Sequence, residues 1–152
     1  MARHGQRGST AIEFALLFIP VFALFYAIVS SGIVFMLLEG FNSAAEGGAR
    51  AAIAVDPAAY PDTQSFLDDG VTPVVREQVA LQLAWLPAHV REEVLGDDWQ
   101  HIEVSYQDNV LTVVVGYRNY NDQPMIPLLY LPGIGVVPKV PDRLVSIATS
   151  RL

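Results

Sequence analysis

Residues 7–14 read Arg7-Gly8-Ser9-Thr10-Ala11-Ile12-Glu13-Phe14, and from Phe14 to Leu38 the chain runs through 25 residues without a formal charge. Leu, Ile, Val, Phe and Ala dominate this run. As a helix rising 1.5 Å per residue it is about 37 Å long, against about 30 Å for the hydrocarbon core of a bilayer, so it is long enough to span a membrane with some tilt. Glu13 stands where the run begins. An ionised side chain costs roughly 2.5–3.5 kcal/mol at the centre of a span and less near the interface, so an acid here calls for a partner. An ordinary signal peptide has an apolar stretch of about 7–15 residues closed by a small-residue cleavage site. This run is longer, and the first such candidate, Ser43-Ala44-Ala45, lies far from the leader.

Working outward, the residues before the run carry Arg3, His4 and Arg7 and no acid. Beyond Glu39 the acids outnumber Lys and Arg by 14 to 7, within a formal net charge of -7. A basic flank is retained in the cytoplasm, so this asymmetry predicts a cytoplasmic N-terminus and an extracytoplasmic remainder. The acidic balance, with no basic stripe, argues against a nucleic-acid partner. The chain has 152 residues and no cysteine, which leaves room for one span and one small domain and excludes disulfides and thiolate metal sites.

The Gly8–Glu13 stretch resembles the type III signal of type IV pilins and pseudopilins, with a short basic leader ending in Gly and a Glu at the fifth mature position, counting from Ser9. The longer run Arg-Gly-Ser-Thr-Ala-Ile-Glu-Phe-Ala-Leu with Pro20 in the helix is similar to the TadE-like pseudopilins of the tight-adherence (Flp) pilus system. The small-residue segment Ala44–Ala52 and the strand-like Leu144–Arg151 extend the likeness. The resemblance implies cleavage between Gly8 and Ser9 by a prepilin peptidase, and assembly with other pilin-like subunits and pilus assembly proteins through Glu13. Major Flp pilins have little beyond the helix, so the remaining domain points to a minor pseudopilin.

The physical case for Glu13 stands beside this. Cleavage at Gly8 would give Ser9 a free amine four residues before Glu13 on the same helix face, and a carboxylate there meets the positive end of the helix dipole. The plainer reading is a capping box, with Thr10 as N-cap and Glu13 at N3. Processing and assembly are preferred, because capping needs neither Gly8 nor the membrane. Pro20 removes one backbone donor and loosens the helix, as a passive kink or an assembly feature. Ser30-Ser31-Gly32 offers a small patch for close helix contact.

Past the span, Ala44, Ala45, Gly48, Ala51, Ala52 and Val55 keep helical spacing and present a face suited to close approach. Asp56-Pro57 ends the helix. Residues 56–72 read as a loop, and Thr72-Pro73 starts a helix to about Leu86, with Val75, Val79, Leu83 and Leu86 on one face. A helical turn follows at Pro87–Leu95. Asp108-Asn109 reads as a two-residue turn joining strands in which Tyr106 faces Leu111, Val104 faces Val113 and Ile102 faces Val115. This one-sided sheet needs a cover, for which the Thr72–Leu86 helix is suited, and a third strand near 144–150. Residues 121–141 form an apolar loop with five prolines between 124 and 141. It either closes over the core or forms a surface for membrane or partner.

No motif carries catalysis. His89 and His101 are isolated, no metal-ligand spacing occurs around Glu92, Glu93, Asp97 and Asp98, and no phosphate-cradling loop is present. Neither an enzyme, a cofactor nor a metal is expected. The fold class is α+β: a long N-terminal transmembrane helix and a small extracytoplasmic domain with a helix on an antiparallel sheet of about three strands. The segments are a leader at 1–8, the helix at 9–55 and the domain at 56–152. The expected function is that of a minor pseudopilin in pilus assembly, processed after Gly8; the alternative is an unprocessed signal-anchored binding domain.

Overall fold

The computed structural model describes residues 6–131, 133 and 135–152, with residues 6–10 described by their backbone alone. Arg3 and His4 of the leader lie outside the described residues, as does the Arg7 side chain. The first element is the helix α1, Gln6–Ala52, 47 residues without a break despite Pro20 at its interior. The apolar run and the small-residue segment therefore form one continuous helix. Ile53, Ala54 and Val55 donate to carbonyls three residues back, a tightened last turn that ends α1 before Asp56-Pro57.

Residues 1–34 and 126–139 form one compact unit, and 35–125 with 140–152 form the other. In the first unit, residues 11–22 of α1 are exposed and burial begins at Ala23 and returns at Ser30 and Val34. The Tyr26 hydroxyl, on the same stripe, donates to the Pro127 carbonyl. The Ser30 hydroxyl turns back to the Tyr26 carbonyl at 2.6 Å, which satisfies it inside the helix. The apolar stretch past residue 125 is not a bare loop: β3 (Leu129–Leu131) and β4 (Gly135–Val137) pair antiparallel, Tyr130 facing Val136. Prolines 127, 132 and 138 flank these tripeptides, and only the proline-free pieces supply the donors a ladder needs. The partner of this stretch within its unit is α1.

In the second unit the expected loop at 56–72 is largely helical. A single turn of 3-10 helix covers Pro57–Ala59, with Asp56 accepting from the Ala58 N–H at 2.9 Å. The helix α2, Thr63–Ser65, is capped by Asp62, whose carboxylate accepts from the Ser65 N–H at 2.8 Å. It passes through a wide π turn, Phe66–Val71, into α3, Thr72–Gln82. Thr72 is thus not an N-cap: it has helical dihedrals and donates to Leu67, five residues back. Such a widened turn accommodates Pro73, which has no N–H and whose ring would crowd the carbonyl four residues earlier. The Pro/Asp/Gly composition of this stretch concealed a helix held by a side-chain cap and a Gln64–Asp68 hydrogen bond of 2.6 Å one turn apart.

The apolar face of α3 is as read: Val75, Val79 and Leu83 are fully buried and Leu86 nearly so. It meets α1 at the glycine pair. A Cβ on Gly48 would lie 2.9 Å from Val79 Cγ2 and 3.1 Å from Val75 Cγ1, and one on Gly47 would strike the Gln82 side chain. Ala44, Ala45, Ala49 and Ala52 flank this contact and are buried. The helix α4, Ala88–Leu95, buries Val90 and Val94 and packs over the sheet at β2. The role of cover expected for the α3 segment is taken there by α4, while α3 is held on α1.

The sheet has three antiparallel strands in the order β1-β2-β5: β1 Glu103–Gln107, β2 Val110–Tyr117 and β5 Leu144–Arg151. Its hairpin register pairs Tyr106 with Leu111 and Val104 with Val113, as the two-residue turn requires. Asp108 and Asn109 both take positive φ, 50° and 62°, the geometry that matches strand twist and that Asp and Asn tolerate. Leu111, Val113 and Val115 are buried, with Ile102 beside them. At the far end Tyr117 and Tyr120 stack edge-on at 5.4 Å, both fully buried.

Replacing Gly48 by Leu is expected to lower stability by about 1–3 kcal/mol, because the added side chain overpacks the contact with Val75 and Val79. The same change at Gly32, where a Cβ meets nothing within 4 Å, is expected to leave stability unchanged. Urea unfolding of the full chain in detergent micelles, followed by tryptophan fluorescence, separates the two.

Candidate functional site

The residues singled out for processing and assembly all lie on the first turns of α1. Gly8 and Ser9 fall within its helical backbone, and Glu13 follows one turn after Ser9 with its side chain exposed. Their separation along the chain is therefore realised on one helix face, where positions four apart align. Pro20, Leu24 and Ser31 stand seven, eleven and eighteen residues beyond Glu13, so all share its face. The carboxylate thus lies in line with the place where the helix lacks a hydrogen bond.

Beside this face runs a feature that the sequence reading missed. Phe14, Phe18, Phe22 and Tyr26 recur every four residues and stack in succession, with ring centroids at 5.7, 5.8 and 6.3 Å. The three phenylalanines are exposed. The signal was present as a four-residue aromatic repeat, which on a helix surface aligns the rings into a ladder. Offset-stacked rings hold one another's rotamers and present a stiff apolar ridge. The ladder drifts round the helix, because four residues exceed one turn, and at Tyr26 it meets the buried stripe.

The small-residue segments divide between two roles. Ser30 is buried within the chain, whereas Gly32 has open space over it. The platform from Ala44 to Ala52 is already occupied by α3. Among the described side chains, the part of α1 exposed on every face is residues 11–22, where Glu13, Pro20 and the three phenylalanines of the ladder stand.

Elsewhere the clefts are shallow in chemistry. One of about 420 Å³ lies between Glu46, Ala49 and Arg50 of α1 and Ile147–Ser150 of β5, with Glu46 and Arg50 paired at 3.1 Å. Another, of about 290 Å³, is lined by Tyr60, Asp62, Phe66 and Tyr106 among others. The backbone N–H of Ser65, and then its hydroxyl, hold the Asp62 carboxyl below the usual carboxylate range. Burial, together with the negative charge of Glu93 and the neighbouring Tyr120, pushes the Tyr117 phenol up. Tyr117 donates to the Gln123 carbonyl. His101 Nδ1 lies 2.9 Å from the Glu93 carbonyl oxygen, and His89 is exposed. Among the described residues, no group of three or more His, Asp or Glu is arranged to hold a metal ion.

α1 is the one helix among the described residues long and apolar enough to cross a membrane, with a mean hydropathy of 2.4 in its most apolar window. Residues 8–50 match the family described as TadE-like protein. Over that stretch the chain is similar to TadE-like proteins. Among curated proteins and among solved structures, nothing matches it. The TadE-like stretch coincides with α1 almost end to end. It includes Gly8, Glu13, Pro20 and the glycine pair at 47–48, and it ends where α3 is seated.

Two titrations give signed expectations. The folded-state pKa of Asp62 is depressed, so its cap stabilises the fold above about pH 3.9 and is lost as pH falls through the folded value. The difference in melting temperature between the native chain and Asp62→Asn should shrink between pH 5 and pH 2.5. The pKa of Tyr117 is raised, so its contribution is whole below about pH 10 and is lost as pH rises through the folded value. Tyr117→Phe should flatten the alkaline limb of the same melting curve.

Proposed function

We propose that this chain is a minor pseudopilin-like subunit that acts in assembly of a tight-adherence pilus. The observation that carries the reading is the TadE-like match over residues 8–50, which lies on one uninterrupted helix with Gly8 at its start. Family and helix together support a single-pass membrane anchor and a part in pilus assembly. The finer steps are our inference. A prepilin peptidase cuts between Gly8 and Ser9 on the cytoplasmic face of the inner membrane, and the domain after α1 lies outside. The new amine of Ser9, or that of a neighbouring subunit, then neutralises Glu13.

The charge argument supports this sequence of events. Before cleavage Glu13 has no fixed cation one turn away on its own face, and an uncompensated acid at the membrane edge is unfavourable. Cleavage supplies the amine at a helical spacing of four. A neighbouring subunit can supply it equally, and then the same pairing fixes the axial register between helices. The exposed aromatic ladder gives the contact its apolar area, and Pro20 leaves a carbonyl that a polar group on a neighbouring helix can satisfy.

Intact mass and terminal-peptide analysis of the protein from membranes of its own host test the cleavage. A chain beginning at Ser9 is the expected result; one beginning at Met1 or Ala2 removes the processing step and leaves a signal-anchored domain. Glu13→Ala tests the pairing separately. The variant should insert at the native level, yet co-isolate with pilin-like subunits at least tenfold less. Unchanged co-isolation would remove Glu13 from the contact between subunits.

A further inference from the structure

Between Asp122 and Lys139 the chain carries no charge over 16 residues, and prolines stand at 124, 127, 132 and 138. This stretch holds β3 and β4, and its residues 126–139 share a compact unit with α1 up to Val34. Their contact is fixed by the hydrogen bond from Tyr26 to the Pro127 carbonyl. Tyr26 lies inside the apolar run. It stands 13 residues above Glu13, about 20 Å along a helix, whereas the hydrocarbon core is about 30 Å thick. With Glu13 held at one edge, Tyr26 is within about 10 Å of the other edge, and Pro127 is at its level.

From this placement we propose that the β3–β4 hairpin is seated in lipid, dipping into the leaflet opposite Glu13 alongside α1. The depth matches that of interfacial elements, which bury about 5–10 Å into the boundary of headgroups and acyl chains. The backbone is suited to it. Polar backbone groups in lipid must be paired internally, and here the two strands pair one another while four prolines lack a donor altogether. The Tyr26 hydroxyl, which would be unpaired on a lone span, is satisfied by the hairpin. Outward from the ladder point Tyr130, 76% exposed, and Val136, 40% exposed. A tyrosine beside aliphatic groups is the composition of the membrane interface, where the ring is apolar and the hydroxyl is hydrated. Water would leave this surface as an uncharged apolar patch, and lipid covers it at no cost in charge. The inference holds whether or not Gly8 is a cleavage site.

The absence of cysteine makes the test direct. Tyr130→Cys and, as a control on β1, the exposed Gln107→Cys are made in the full chain, labelled with an NBD fluorophore, and reconstituted in phosphatidylcholine–phosphatidylglycerol vesicles. The label at 130 should emit to the blue of the label at 107. It should also be quenched at least threefold more by lipids spin-labelled near the headgroup end of the acyl chain, and less by aqueous iodide. Equal quenching at the two positions would overturn the proposal and put the hairpin in water. Protection at 130 from both iodide and lipid quenchers would also overturn it, and would show that protein covers the hairpin. Both substituted positions are exposed, so the comparison does not depend on refitting a core.

Discussion

The second unit depends on the contact of two helices at a pair of glycines. Gly47 and Gly48 let α3 approach α1 so closely that a methyl group on Gly48 would press on Val75 and Val79. Two glycines inside a helix weaken it by about 1 kcal/mol each relative to Ala. That loss is offset by the length of α1, whose many other residues hold the hydrogen-bond ladder, and by the apolar area that α3 buries. The buried alanines on either side extend the contact into a flat platform. Side chains on such a platform have little rotamer freedom to lose, so its burial carries a small entropic penalty.

The same helix serves two environments by changing what its faces carry. Before Ala23 every described side chain is exposed, and apart from Glu13 the residues are apolar and mostly large. From Leu37 to Ala52 the buried stripe holds Leu37, Phe41, Ala44, Ala45, Gly48, Ala49 and Ala52, while Glu39, Glu46 and Arg50 stand outside it. The first pattern is that of a helix surrounded by lipid or by other helices. The second is that of an amphipathic helix on a domain. Continuity between them is possible because both keep the same hydrogen-bond ladder and differ only in side chains.

How far this could be read in the sequence varied with the locality of the physics. The length of α1 was legible because charge-free runs and small-residue periodicity are local. So was the hairpin, because Asp108-Asn109 sets the turn and the turn sets the register of Tyr106 and Leu111. The helix from Thr63 was not, since its composition is that of a loop and its support comes from the Asp62 cap and the π turn before Pro73. The pairing of β3 with β4 was hidden behind the prolines, which excluded a long strand without excluding two tripeptides. At the candidate site, the Gly8, Ser9 and Glu13 spacing is visible in the sequence, and the helical backbone of α1 puts Ser9 and Glu13, four apart, on one face. The aromatic ladder was overlooked because its rings were counted as apolar residues and not as a repeat of four.

The central strand β2 has a partner from each side of a long excursion. β1 joins it through two residues, whereas β5 reaches it only after the chain has passed through residues 118–143. Local pairs form quickly, and pairs that close long loops form late, because the entropy of closure precedes the gain in contacts. The hairpin at 103–117 therefore waits with one edge of β2 unpaired until β5 emerges behind the apolar stretch. An unpaired strand edge is a template for the wrong partner. Because the chain is made from its N-terminus, the order of synthesis gives α1, β1 and β2 time to settle before the edge is closed. The final strand acts as the latch of the domain, and any delay in its arrival lengthens the interval in which the chain is open to aggregation.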